Sequence, residues 1–292
     1  MKLMRFSSLV LIVILLGTAG FTQTATPTAI TQDPPDSANG PWMAEWSVPS
    51  HGVKMNAVLY LTGGEEQHGL VILLHGFPGY ERNFDLAQSI RRAGWHVLVF
   101  HYRGAWGSPG DFSFANAMQD TEAAIEYARS PEVIKKFHID PKRIVLIGHS
   151  MGGFMAAYAG SRDPRILGVG MLAAWNIGAD GSITPEEKKK RIAGMEEERG
   201  PLHGCTAEGL MDEIVRHAPE WDYTKYAPSL KSRSVLIISA NDELRRANEA
   251  MDAALQKAGS SQTKYLHIET DHAFSAKRIA LQTAVLEWLA GL

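Results

Sequence analysis

Three residues that can together activate a hydroxyl group follow one another along the chain in the order Ser150, Asp242 and His272. A serine hydroxyl is a weak nucleophile at neutral pH and needs a base within hydrogen-bond reach. A histidine can take the proton and later return it to a leaving group. A carboxylate on the other ring nitrogen fixes the histidine tautomer and stabilises the imidazolium. We therefore hypothesise a nucleophile at Ser150, a general base at His272 and an orienting acid at Asp242.

The sequence around Ser150 supports this hypothesis. Residues 148–152 read GHSMG, which matches G-x-S-x-G. The β-branched, apolar run 143–147 predicts a buried strand, and 153–161 predicts a helix. A serine at the sharp turn between them is a nucleophile elbow, in which small residues let neighbouring backbone pass close by. The N–H of Met151, at the helix N-terminus, is then a candidate oxyanion donor.

Asp242 and His272 each follow a predicted strand closely. Residues 234–239 and 263–269 are the two strands, and each candidate lies three residues beyond its strand. In an open α/β sheet, ligands bind at the carboxyl ends of the strands, so we expect both side chains near Ser150.

Other residues compete for these roles, and the sequence leaves them open. His267 is the alternative base, although it lies within a predicted strand. Asp271 and Asp180 are alternative acids; Asp271 is also placed to cap the following helix. Cys205, the single cysteine, lies outside any elbow and is interpreted as a bystander; alone it forms no intramolecular disulfide.

A second oxyanion donor is expected after the strand 69–74, in the glycine-containing loop 75–79, where the N–H of Phe77 is the candidate. Each such donor contributes about 3 kcal/mol to transition-state binding. Aromatic side chains on loops predicted near the site are candidates for an acyl or aryl pocket, and are equally consistent with core or cap packing. These are Tyr102, Trp106, Trp175 and Trp221.

The elements around these residues alternate between strand and helix, which predicts an α/β fold with a mostly parallel sheet flanked by helices. A predicted hairpin, residues 44–48 and 54–61, precedes them at the sheet edge. Helices are predicted at residues 82–93, 115–129, 153–161, 244–257 and 273–289. Residues 175–231 interrupt the alternation after the sixth strand and predict a cap insertion. Charge runs at 186–191 and 196–199 are interpreted as solvated helix faces.

The ends and the composition define the remaining expectations. Residues 1–22 have a basic start, a short apolar run and small residues, which predicts a cleaved signal peptide and a secreted or periplasmic protein without stable membrane insertion. Residues 23–43 are predicted to be a flexible leader and 44–292 the catalytic domain. The net charge of −3 and the lack of a basic stripe argue against nucleic acid as a partner.

Neither a metal nor a cofactor is predicted. Residues 267–272 (HIETDH) contain alternate His and Glu, but no second cluster has ligand spacing. Residues 168–173 (GVGMLA) match a dinucleotide fingerprint only loosely, because no turn and helix follow the first glycine.

With these motifs the chain resembles the α/β-hydrolase superfamily, especially its dienelactone-hydrolase and prolyl-oligopeptidase-like branches. The resemblance rests on HGFPG at 75–79, the loop 100–113, GHSMGG at 148–153, the aspartate at 242 and DHAF at 271–274. It implies an α/β-hydrolase fold with Ser150, Asp242 and His272 as the triad, and with Phe77 and Met151 as oxyanion donors.

The resemblance has two departures. Dienelactone hydrolases have cysteine where this chain has Ser150, and prolyl-oligopeptidase relatives carry a propeller for which residues before 45 leave no room. We therefore expect a serine hydrolase that cleaves small-molecule carboxylic esters. The alternatives are hydrolysis of small peptides or amides, and a non-catalytic binding protein of the same fold.

Overall fold

The computed structural model describes residues 26–35 and 39–292. The predicted signal peptide, residues 1–22, lies outside the described residues. Within the predicted leader, Thr28–Thr31 form one helical turn, α1, and the first strand already begins at Trp42. None of the described helices has the length and apolar character needed to cross a membrane.

One eight-stranded sheet organises the chain, in the order β1-β2-β4-β3-β5-β6-β7-β8. β1 and β2 pair antiparallel with each other, β2 pairs antiparallel with β4, and the other pairs are parallel. The predicted fold class and the edge hairpin are therefore confirmed. The strands are β1 Trp42–Ser50, β2 Val53–Leu61, β3 His68–Leu74, β4 His96–Phe100, β5 Ile139–His149, β6 Gly168–Leu172, β7 Ser234–Ser239 and β8 Thr263–His267.

Outside the predicted leader and residues 175–231, the helices agree with the sequence pattern except in two places. α4, Pro131–Phe137, has no counterpart in the prediction, because it is short, charged and has only two buried residues. The closing helix begins at Arg278, five residues later than predicted, since Phe274 adopts a left-handed φ of 57° in the preceding turn. The helices are α2 Phe84–Arg92, α3 Phe114–Ala128, α4 Pro131–Phe137, α5 Met151–Arg162, α6 Pro185–Glu198, α7 Ala207–His217, α8 Ala227–Leu230, α9 Arg245–Lys257 and α10 Arg278–Leu289.

The central strands are apolar throughout because helices cover both faces of the sheet. Successive side chains of β3 alternate between two hydrophobic clusters: Ile72 packs in one cluster, whereas Val71 and Leu73 pack in the other. Both clusters are fully buried at this strand. The sheet is therefore a rigid base from which the loops at its carboxyl edge project.

Residues 175–231, here called the cap segment, connect β6 to β7 and contain α6, α7 and α8. α6 begins with a capping box between Thr184 and Glu187. Glu213 of α7 accepts hydrogen bonds from the first two N–H groups of α3, at 2.9 and 3.0 Å. That carboxylate lies where the dipole of α3 favours a negative charge, so it ties the cap segment to the sheet-covering layer.

Candidate active site

Ser150 lies at a sharp turn between β5 and α5, with φ 55° and ψ −120°. This left-handed backbone is unfavourable for a residue with a side chain, and the surrounding structure must hold it in place. The Ser150 N–H donates to the carbonyl of Leu172 at 2.9 Å, and its carbonyl accepts from the N–H of Trp175 at 3.0 Å. The turn is thereby fixed to the end of β6.

The glycines of the motif are required by close backbone contact. A side-chain carbon at Gly148 would collide with the backbone of Gly152, and one at Gly152 would collide with the carbonyl of Leu74. Glycine at these two positions therefore lets β5, α5 and β3 pack closer together than a larger residue would permit.

Asp242 and His272 form a hydrogen-bonded pair at the ends of β7 and β8. Nδ1 of His272 lies 2.7 Å from Oδ2 of Asp242, and the other carboxylate oxygen accepts from the N–H of Leu244 at 3.0 Å. The Asp242 side chain is 4% exposed, whereas that of His272 is 39% exposed. With Nδ1–H donated to the carboxylate, Nε2 of His272 is the free proton acceptor.

The competing residues have other partners. His267 contacts Ser239 Oγ at 2.8 Å through Nδ1 and the Asn241 side chain at 2.9 Å through Nε2. Asp271 accepts from the N–H of Ser275 at 2.7 Å. The structure therefore brings neither residue into the Asp242–His272 pair.

Asp180, the third alternative, belongs to the cap segment. It accepts from the indole N–H of Trp175 at 3.0 Å and lies 3.1 Å from Nε of Arg191. Burial raises the pKa of this carboxyl, although Arg191 opposes the shift. Asp180 thus joins α6 to the loop after β6.

The two candidate oxyanion donors lie next to the nucleophile: Phe77 is on the loop after β3, and Met151 is the first residue of α5. The N–H groups of Phe77 and Met151 donate no hydrogen bond to any of the described residues. A side-chain carbon at Gly76 would lie 2.9 Å from Cβ of Ser150, so the loop after β3 passes directly beside the elbow. Both free N–H groups are therefore carried by backbone next to Ser150.

A cavity of about 720 Å³ contains both Ser150 and His272 in its lining. Its walls have two origins. The residues on loops at the strand ends, here called the cavity floor, are Phe77, Ser150, Trp175, Glu243, Leu244 and His272. The residues contributed by the cap segment beyond Trp175, here called the cap face, are Ile183, Glu187, Lys190, Arg191, Gly194, Met195 and Glu198.

Of the four aromatic residues predicted for substrate binding, the structure places Trp175 in this lining and the other three elsewhere. Tyr102 is fully buried. Trp106 is half-buried, with its indole N–H on the carbonyl of Pro78. Trp221 stacks on His217 with ring centroids 4.8 Å apart. All three residues lie on loops, but side-chain direction depends on packing that loop position does not specify.

Comparison with known proteins identifies the family. The model of the alpha/beta hydrolase family matches residues 71–275, well over half of the 292 residues. The chain belongs to the alpha/beta hydrolase family. The quorum-quenching protein AidA of Acinetobacter baumannii (strain MDR-ZJ06) is 32% identical over 126 residues, which are 41% of this chain and 40% of AidA. The chain thus aligns with less than half of that relative.

Two solved structures illustrate the shared fold of this alpha/beta hydrolase. Brefeldin A esterase, a bacterial homologue of human hormone sensitive lipase, has a TM-score of 0.63 and 16% identity, covering 92% of this chain and 86% of that chain. An esterase of Pyrobaculum calidifontis has a TM-score of 0.63 and 18% identity, covering 90% and 88%. At such identities the likeness concerns the fold.

His149 is a further residue of the site, which the sequence analysis did not identify as functional. It is buried, its Nε2 lies 2.8 Å from the carbonyl of His272, and the two rings are 4.6 Å apart. Burial lowers the pKa of His149 to about 3, and the neighbouring His272 adds to the shift. A neutral His149 therefore donates to a carbonyl of the loop that carries His272. Its position directly before Ser150 is the feature of the sequence that could have identified it.

Among the described residues of this alpha/beta hydrolase, no group of three or more His, Cys, Asp or Glu side chains could hold a metal ion. Within residues 267–272, Nδ1 of His267 contacts Ser239 and Nε2 contacts Asn241.

The half-buried thiol of Cys205 has a pKa raised by burial, which disfavours the thiolate needed for nucleophilic chemistry.

Proposed function

We propose that the protein is a serine hydrolase of the carboxylesterase type, which forms an acyl-enzyme on Ser150. The observation that carries this proposal is the 2.7 Å hydrogen bond between His272 Nδ1 and Asp242, in a cavity lined by both His272 and Ser150. It leaves Nε2 of His272 as the proton acceptor. The names of the esterases that share the fold support the same class of reaction.

The proposed reaction has two halves, each with a proton carried by His272. Ser150 Oγ attacks the ester carbonyl while its proton passes to Nε2 of His272, and the negative oxygen that forms accepts hydrogen bonds from the N–H groups of Phe77 and Met151. The C–O bond then breaks, and the departing alcohol takes the proton. Water attacks the acyl-enzyme by the same route, releases the carboxylic acid and restores the Ser150 hydroxyl.

The cavity supports a substrate with an apolar acyl or aryl group. The floor presents Phe77, Trp175 and Leu244, and the cap face adds Ile183 and Met195. Apolar contacts beside polar groups that orient the ligand are typical of small-molecule sites. Here the apolar residues share the lining with five charged side chains, Glu187, Lys190, Arg191, Glu198 and Glu243. We therefore expect neutral esters with a hydrophobic acyl group to be better substrates than charged ones.

Hydrolysis of p-nitrophenyl esters, from acetate to laurate, tests the proposal. We expect turnover by the wild type and at least a ~1000-fold loss for Ser150→Ala, as triad substitutions give elsewhere. Ser161→Ala is the matched control, because its hydroxyl only donates to the carbonyl of Tyr158 within the same helix, α5. Diisopropyl fluorophosphate should label the wild type and the control but leave Ser150→Ala unlabelled. Full activity of Ser150→Ala would refute the proposed nucleophile.

The same preparation separates the alternatives. Matched ester and anilide substrates distinguish esterase from amidase activity, and anilide turnover at a similar rate would favour the amide alternative. A wild type that neither hydrolyses esters nor reacts with the fluorophosphate would favour a binding protein.

We also propose that the protein is exported. The support is the basic, apolar and small-residue order of residues 1–22. N-terminal sequencing of the mature protein after cell fractionation tests this, and an intact Met1 in the cytoplasmic fraction would contradict it.

A further inference from the structure

Two aromatic side chains hold the loop that carries the candidate donor Phe77. The hydroxyl of Tyr102 donates to the carbonyl of His75 at 3.2 Å. The indole N–H of Trp106 donates to the carbonyl of Pro78 at 2.7 Å. These acceptors lie two residues before and one residue after Phe77. The peptide that presents the Phe77 N–H is therefore fixed on both sides.

A third contact strengthens the Trp106 side of this arrangement. Nε of Arg82 donates to the carbonyl of Gly79 at 3.1 Å, and its guanidinium lies 4.0 Å from the centroid of the Trp106 ring. A side-chain carbon at Gly79 would lie 2.9 Å from the indole nitrogen, so the ring packs directly against the loop. A cation over an aromatic face restricts both groups, and here it restricts the donor to Pro78.

Trp106 is itself anchored to the cap segment. Its backbone N–H donates to the carbonyl of Pro201 at 3.0 Å, and Ala105 pairs with Leu202 in an isolated antiparallel bridge. Residues 201 and 202 lie in the connection between α6 and α7. Trp106 therefore bridges two regions that both contribute residues to the cavity, the loop 75–79 and the cap segment.

We propose that Tyr102 and Trp106 are positioning residues that fix the N–H of Phe77 as an oxyanion donor. Neither side chain lines the cavity, so the inference differs from the substrate-binding role that the sequence suggested. An oxyanion donor is effective only if it is held in place before charge develops on the substrate. The inference rests on the proposed function, since it assigns these residues a part in the same reaction.

Tyr102→Phe and Trp106→Phe test the inference, because each removes the donor and keeps an aromatic ring. We expect kcat for p-nitrophenyl esters to fall about 10- to 100-fold in each variant, with KM changed less than about 2-fold. Trp42→Phe is the control, because this indole is 52% exposed and belongs to β1. The control should keep both constants and a similar melting temperature.

An aryl trifluoromethyl ketone provides the readout that a purely structural role would not change. Ser150 Oγ adds to its carbonyl carbon, the serine proton moves to His272, and the ketone oxygen becomes an oxyanion in the proposed hole. We expect the inhibition constant to rise by the factor by which kcat/KM falls. An unchanged inhibition constant in both variants, with full activity, would overturn the inference while leaving the proposed function intact.

Hydrogen exchange distinguishes failure of the positioning role from failure of the proposed function. In either variant, amides of the peptide covering residues 75–81 should exchange faster than in the wild type, whether or not the wild type hydrolyses esters. Faster exchange with an inactive wild type would keep the positioning role and reject the reaction. Unchanged exchange in both variants would reject the positioning role.

Discussion

The floor and the cap face of the cavity are built in different ways. Floor residues lie on loops that directly follow strands of the sheet, and Ser150 there has a backbone conformation that only tight packing maintains. The cap face belongs largely to α6, in which Met195 is the single buried residue. The floor is thus held by the sheet, whereas the cap face is held by a charged helix with few buried contacts.

This difference assigns separate roles to the two regions. Proton transfer and oxyanion binding require atoms at fixed positions, which the strand ends provide. Substrate selection tolerates a surface that varies in charge and shape, and α6 supplies Glu187, Lys190 and Glu198 to it. We therefore expect substitutions in the floor to change kcat or folding, and substitutions in the cap face to change substrate preference.

The largest effect is expected at Asp242, which is hydrogen-bonded to the floor residue His272. Asp242→Asn removes the carboxylate that holds His272 in the productive tautomer, and we expect kcat for ester hydrolysis to fall about 10⁴-fold. Asp271→Asn is the control, because that exposed side chain bonds to the N–H of Ser275. Steady-state kinetics decide the comparison, and equal losses in the two variants would show that the acid is misassigned.

Two glycine substitutions should have opposite effects on stability. Gly148→Ala places a carbon against the Gly152 backbone in the elbow that carries the floor residue Ser150, and we expect the free energy of unfolding to fall by about 3 kcal/mol. Gly194→Ala in α6 meets no atom within 4 Å and should raise it by about 1 kcal/mol through helix propensity. Urea titrations measure both values. A stable Gly148→Ala variant would contradict the packing of the elbow.

His149, which is buried against the floor residue His272, should make the stability of the protein depend on pH. Because burial lowers its folded-state pKa to about 3, the unfolded chain binds a proton that the folded chain does not bind between about pH 3 and its ordinary value of about 6.5. Stability from this group is complete above that window and is lost as pH falls through it. The slope is at most about 1.4 kcal/mol per pH unit.

His149→Gln keeps an N–H donor for the carbonyl of His272 and removes this titration. Urea unfolding measured between pH 4 and 6 should therefore show a shallower slope than the wild type. His203→Gln, at a histidine whose side chain is 82% exposed, is the control and should keep the wild-type slope. An unchanged slope in His149→Gln would mean that His149 is not buried in its neutral form.

The smallest effect is expected on the cap face at Glu198. Burial raises the pKa of this carboxyl, and its charge interactions include Arg191 and Glu243. Glu198→Gln should raise KM for a cationic ester about 3-fold relative to its neutral isostere, because the carboxylate is only partly screened by solvent. The difference should diminish at high salt. Glu197→Gln, exposed on α6 outside the lining, should change the ratio little, and an equal change would indicate a long-range effect of net charge.

The sequence alone predicted the succession of strands along the chain, the edge hairpin and the loops from which Ser150, Asp242 and His272 project. These features follow from local patterns, since β-branched runs, glycines at the elbow and strand ends are encoded within a few residues. The helix α4 and the late start of α10 escaped prediction, because the first is short and charged and the second is delayed by the turn at Phe274.

The identity of the side chains that meet across the sheet follows from tertiary packing and could not be predicted from local sequence. The tertiary structure paired Asp242 rather than Asp271 with His272, and it turned Tyr102 and Trp106 onto the loop 75–79 instead of into the cavity. It also directed one side of α6 into the cavity, although the charge runs had indicated solvated faces. Such contacts join residues 27 or more positions apart, and their geometry follows from how the sheet, the loops and the cap segment pack together.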